Sequence, residues 1–129
     1  MLWKKKKSEA GNAGNDLNML HNTMPIQVVV KTDLGNIRTN NEDAVLFKKA
    51  DDSLKGKGMM LLVADGMGGH LAGEVASGMA VESISETYFH LSKGNNVADI
   101  LKQAFQLANK KIFQSASNNE QYKGMGTTC

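Results

Sequence analysis

The chain has 129 residues, with 15 Lys plus Arg against 13 Asp plus Glu and a formal net charge of +2. That length holds one domain, and the near balance of charge excludes both a polycation built to coat nucleic acid and an acidic tail. A single cysteine excludes an intrachain disulfide and suits a reducing, cytoplasmic setting, and the longest apolar run, Met59 to Ala64, falls far short of the roughly 20 residues of a membrane span.

Residues 1–24 read as a disordered leader. Asn12, Asn15, Asn18 and Asn22 with Gly11 and Gly14 offer little to bury. The basic excess of the chain lies here, in Lys4 to Lys7 set against Glu9 and Asp16. Met1-Leu2-Trp3 before the lysines reverses the order of a secretory signal. Four lysines without interleaved aromatics or a helical face read as a solvated tail rather than a site for nucleic acid or anionic lipid.

Residues 25–129 read as the ordered domain, entered at Pro25, the only proline. Ile26 to Val30 is β-branched apart from Gln27 and predicts a strand. Thr32-Asp33-Leu34-Gly35-Asn36 is turn chemistry. Asp43 to Lys49 predicts a second strand, and Asp51 to Gly58 a loop. Met59 to Ala64 is a continuous apolar run, the pattern of a strand covered on both faces, ending at Asp65-Gly66-Met67-Gly68-Gly69-His70.

Two helices are expected next. Leu71, Val75, Met79, Ile84, Tyr88 and Leu91 recur at helical spacing beside Ala72, Ala76 and Ala80, with Gly94 as the stop. Asn96 is placed to cap a second helix, with Asp99 in its first turn and Val97, Leu101, Ala104, Ala108 and Ile112 as its apolar stripe. Lys110 and Lys111 are expected near its end, followed by a polar loop over Ser115 to Lys123. Gly124 to Cys129 looks like the start of another strand, so the chain reads as an incomplete domain.

Asp65 follows a strand and precedes a glycine-rich turn, so a rigid scaffold presents its carboxylate. Gly66, Gly68 and Gly69 let backbone groups approach a ligand closely. A carboxylate beside a bare carbonyl suits a hard cation such as Mg²⁺ or Mn²⁺; a surface turn with solvated acids is the other reading. Glu42 and Asp43 open a neighbouring strand, and adjacent strand residues point to opposite faces, so at most one aims directly at the same ion. Arg38, the only arginine, offers a planar fork of donors suited to phosphate, or else forms a surface ion pair.

Thr32-Asp33-x-Gly35-x-x-Arg38-x-x-Asn41-Glu42-Asp43 resembles the opening motif of the type 2C (PPM) metal-dependent protein serine/threonine phosphatases. Val63-Ala64-Asp65-Gly66-Met67-Gly68-Gly69-His70-x-Ala72-Gly73-Glu74-x-Ala76-Ser77 resembles the second motif in its bacterial form, and Gly124-Met125-Gly126-Thr127-Thr128 the third. Three motifs in the family's order are specific where one glycine cluster is not. The resemblance covers residues 26–129 and the N-terminal portion of the family domain.

The resemblance implies an α+β fold, part of an α-β-β-α sandwich in which two antiparallel sheets lie between helix pairs. It implies two Mn²⁺ or Mg²⁺ ions bridged by Asp65, with the Gly66 carbonyl on one of them and Glu42 and Asp43 in or beside the metal shell. Arg38 matches the arginine that binds the substrate phosphate, and His70 a histidine near the substrate entrance. Met67 stands where some eukaryotic members carry a general-acid histidine, so no general acid is assigned there. The implied reaction is direct hydrolysis of phosphoserine or phosphothreonine proteins, substrates of a cognate kinase, by metal-activated water. Family members bring further metal-binding aspartates from beyond the third motif. The alternative is a truncated phosphatase fold that binds a phosphoprotein without hydrolysis. Cys129 is read as a small core residue, not a nucleophile.

Overall fold

A computed structural model describes residues 26–50, 57–68, 72–91 and 96–129. The leader, Pro25, His70, Leu71 and Gly94 lie outside the described residues. Strand β1 spans Asp43–Lys49, β2 Met59–Met67 and β3 Gly126–Thr127. They form one antiparallel sheet in the order β1-β2-β3. Helix α1 runs Ala72–His90 and α2 Val97–Asn118, followed by a 3₁₀ turn over Glu120–Tyr122. This is the expected α+β class. No helix among the described residues is long and apolar enough to cross a membrane.

Strand alternation decides which residues meet the helices. Met60, Ala64 and Gly66 of β2 are buried, facing α1. Leu61 and Val63 are 60% and 67% exposed on the other side. The expectation of a strand covered on both faces therefore fails: among the described residues only one face of the sheet is covered. β2 also runs on through Asp65, Gly66 and Met67, because β3 pairs with Gly66 and Met67 and supplies the ladder that sequence periodicity cannot show.

Ile26 to Val30 has no strand structure, and Val29 is 92% exposed. β-branched residues favour a strand only where a neighbouring strand and a packed face receive them, and no described strand lies beside this segment.

Helix α1 is buried on two sides. Ala72, Ala76 and Ala80 are almost fully enclosed, and so are Ile84, Tyr88 and Phe89. Small residues along one stripe let the helix backbone lie close to the sheet, while Ile84 and Tyr88 reach into the core shared with Ile100, Ala104, Ala108 and Ile112 of α2. The last turn of α1 is tied down from the β1–β2 connection. The Tyr88 hydroxyl donates to the Lys57 carbonyl at 2.8 Å, and the Lys57 ammonium donates to the Leu91 carbonyl at 2.8 Å. A cation at a helix C-terminus also complements the macrodipole.

In α2 the Asn96 cap forms as expected, its side-chain oxygen accepting from the Ala98 amide at 3.0 Å. Ile100 takes the buried place expected for Val97, which is 51% exposed. The helix passes through the expected polar loop to Asn118, because Ala116 still packs against the core. Lys110 and Lys111 consequently lie two turns inside the helix, and its last turn holds no basic residue. Cys129 is exposed rather than a core residue, since the sheet ends at Thr127 and leaves it outside.

Candidate active site

The segment leading into β1 is shaped by its own side chains. The Gly35 amide donates to Asp33 Oδ1 at 2.9 Å, closing a turn in which Gly35 takes φ +75°. Asn41 reaches back to donate to Thr32 Oγ1 at 2.8 Å, and its own Oδ1 accepts from the Asp43 amide at 3.0 Å. Asx-type bonds of this kind replace ladder bonds in irregular backbone. Thr32, Asp33, Gly35 and Asn41 therefore hold the loop that delivers Arg38, Glu42 and Asp43.

Asp43 and Asp65 are register partners across β1 and β2. Directly opposed residues of an antiparallel pair share one side of the sheet, with Cβ atoms about 4.5–5.5 Å apart. Both acids are exposed, on the side away from α1. The Asp65 carbonyl is fixed from β3, accepting from Thr127 Oγ1 at 2.9 Å and from the Thr128 amide at 3.0 Å. The third motif thus braces the aspartate of the second. No local pattern discloses that bond between residues so far apart in sequence; the two threonines are its only trace.

Glu42 turns the other way. Its side chain is only 18% exposed and lies against Gly73 in the first turn of α1. A methyl on Gly73 would stand 2.8 Å from Glu42 Cδ and Oε1. A carboxylate beside a helix N-terminus is favoured by the macrodipole. Glu42 also meets Arg38, Nη1 to Oε2 at 3.8 Å. The Glu42 carbonyl accepts from the Gly66 amide at 3.0 Å. A methyl on Gly66 would stand 2.6 Å from that carbonyl oxygen and would overlap the carbonyl of Gly73. Glycine is needed at 66 for this backbone approach, a reason distinct from the ligand access expected from the sequence.

Two half-sites result. Arg38 and Glu42 pair near the start of α1, beside an open recess of about 460 Å³ lined by Ile37, Arg38, Thr39, Asn40 and Glu42. Asp43 and Asp65 share the outer face. The three acids do not converge: among the described residues, no group of three His, Cys, Asp or Glu side chains is placed to hold one ion. The donors at Asp43, Asp65 and the Gly66 carbonyl are all hard oxygens, which fits Mg²⁺ or Mn²⁺ in kind. His70 and Gly69 lie outside the described residues. The thiol of Cys129 has its pKa raised by partial burial, which disfavours the thiolate.

No protein-family model matches the sequence. The chain is 36% identical over 107 residues to protein phosphatase PhpP of Streptococcus pneumoniae, covering 80% of this chain and 41% of that protein. It is 38% identical over 102 residues to serine/threonine phosphatase stp of Listeria monocytogenes, covering 76% of this chain and 38% of the relative. Among solved structures, a serine/threonine phosphatase of Staphylococcus aureus superposes with a TM-score of 0.64 at 32% identity, over 77% of this chain and 38% of that one. The serine/threonine phosphatase PstP/Ppp of Mycobacterium tuberculosis gives 0.60 at 34% identity, over 76% and 37%. The chain spans about two fifths of the length of the curated relatives it matches.

Proposed function

We propose that this chain, similar over 80% of its length to a bacterial protein phosphatase, carries the metal-binding and phosphate-binding corner of a metal-dependent protein serine/threonine phosphatase. The observation that carries the reading is the pairing of Asp43 with Asp65 on one face, while Arg38 stands at the same end of the strands. Acids to hold cations and a guanidinium to hold phosphate are the two charge types that hydrolysis of a phosphomonoester needs.

Asp65 is the cation's principal carboxylate, with Asp43 beside it and the Gly66 carbonyl as a further oxygen donor. Glu42 acts on the other side, orienting Arg38 directly and the metal shell through water. When bound, the pair of Mn²⁺ or Mg²⁺ ions supplies a hydroxide nucleophile at neutral pH. Arg38 exchanges part of its ion pair with Glu42 for the oxygens of the substrate phosphate and offsets charge there as it builds. By the motif resemblance alone His70, which lies outside the described residues, is assigned to substrate binding. The substrates are phosphoserine and phosphothreonine proteins made by a cognate kinase, in the reducing cytoplasm that a lone cysteine tolerates.

The test is a fusion of residues 26–129 to the part of PhpP that follows its matched stretch, assayed on a phosphothreonine peptide with Mn²⁺ and with chelator. Arg38→Ala is expected to raise KM about tenfold or more, the scale of one charge-assisted contact, with a smaller change in kcat. An unchanged KM would remove Arg38 from phosphate binding. A second reading, a fold that binds a phosphoprotein without hydrolysis, draws on the lack of a three-acid group among the described residues. It predicts phosphopeptide binding by a folded fusion that never turns over.

A further inference from the structure

The side-chain amide of Asn41 faces two segments at once. A backbone N–H can only donate, so the Asp43 amide at 3.0 Å fixes which end of that side chain is the oxygen. Nδ2 is left for Thr32, whose Oγ1 accepts at 2.8 Å from nine positions back along the chain. One rigid planar group therefore holds both neighbours, and neither can shift without turning it.

The two neighbours serve different chemistry. Between Thr32 and Asn41 runs the loop that carries Arg38. Its apolar side chains give it no anchor, since Leu34 is exposed and Ile37 is 96% exposed. The Arg38–Glu42 pair at 3.8 Å is the contact on which a bound phosphate would draw, so it does not fix the loop in the loaded site. Among the described residues, the Asn41–Thr32 bond is the hydrogen bond that closes the neck of this loop. On the other side of Asn41, strand β1 begins at Asp43, the register partner of Asp65. The Asn41 oxygen thus holds the first amide of the strand that presents Asp43.

We propose that Asn41 is a positioning residue that ties the phosphate arm of the site to its cation arm, Nδ2 closing the Arg38 loop on Thr32 and Oδ1 setting the start of β1 at Asp43. This inference rests on the phosphatase reading. It assigns to Asn41 and Thr32 no contact with substrate or cation: both act through the residues they place. A loop closed at its neck leaves Arg38 fewer arrangements to lose when phosphate binds, which favours binding by preorganisation. The two ends of the amide are separable. Thr32 bears on Arg38 alone, whereas Asn41 bears on Arg38 and Asp43 together.

Two measurements test this. In the 129-residue chain, hydrogen exchange at the Asp43 amide should be about tenfold faster in Asn41→Ala than in the parent. In the fusion, binding of a phosphothreonine peptide is titrated in chelator, and Mn²⁺ is titrated without peptide, so neither titration needs turnover. Thr32→Val keeps the shape of an exposed side chain and removes its hydroxyl. It should weaken the peptide about fivefold and leave Mn²⁺ affinity unchanged, the scale of one exposed hydrogen bond. Thr32→Ser, which keeps the hydroxyl, should restore peptide affinity. Asn41→Ala should weaken the peptide about tenfold and Mn²⁺ about threefold. A parent fusion that binds both probes, with Thr32→Val and Asn41→Ala indistinguishable from it, overturns this inference alone. Equal losses of peptide and Mn²⁺ in Thr32→Val also overturn it, because they report a general loosening of the fold. A parent fusion that binds neither probe overturns the inference together with the reading on which it rests.

Discussion

Asp65→Asn is expected to abolish chelator-sensitive hydrolysis by the fusion, lowering turnover by about 10³-fold or more, the scale of losing a charged group at the reacting centre. The substitution keeps the size of the side chain and removes only its charge. The backbone carbonyl of residue 65 would still accept from Thr127 and Thr128, so the join between β2 and β3 survives. A variant with native circular dichroism and no turnover therefore reports on the carboxylate and not on folding. Activity retained in that variant would refute the assignment of Asp65 to the metal.

Gly66→Ala acts on stability by a different route. The new methyl would meet the backbone carbonyls of Glu42 and Gly73, neither of which can rotate away. Relief requires α1 to lift from the sheet, and α1 is the element on which both the sheet and α2 pack. Overpacking against backbone is expected to cost about 3 kcal/mol or more, a large part of the roughly 5–15 kcal/mol of a small domain. Urea or thermal unfolding reads the loss directly. Gly78→Ala is the control, since nothing lies within 4 Å of a methyl there and α1 should gain about 0.5–1 kcal/mol from the better helix former. Equal melting of the Gly66→Ala variant and the parent protein would contradict the close approach of α1.

The architecture was legible wherever a segment decides its own structure. β1, α1 and α2 follow from periodicity, and the Asn96 cap from a local hydrogen bond four residues before Ile100. Errors fall where a distant partner decides. Ile26 to Val30 has strand composition but no described strand to pair with. β2 outruns its apolar run because β3, far along the chain, pairs with Gly66 and Met67. Val97 and Ile100 compete for the same helical face, and the packing of α1 chooses Ile100.

The site divides in the same way. Strand alternation alone foretold that Glu42 and Asp43 would point apart, and the register then placed Asp43, not Glu42, beside Asp65. The seating of Glu42 against Gly73 was hidden, because a glycine in the first turn of a helix reads as a poor helix former until its neighbour is seen. The bond from Thr127 to Asp65 was hidden by distance along the chain.

The most direct test of the central claim, that Asp65 holds the cations, is calorimetric titration of Mn²⁺ into the fusion and into its Asp65→Asn variant. A pair of ions bound by the parent fusion, with at least one lost or weakened about tenfold or more in the variant, is the result expected of a carboxylate shared in a two-metal site. Identical stoichiometry and affinity in both proteins would contradict the claim and leave Asp65 as an exposed acid at the end of a strand.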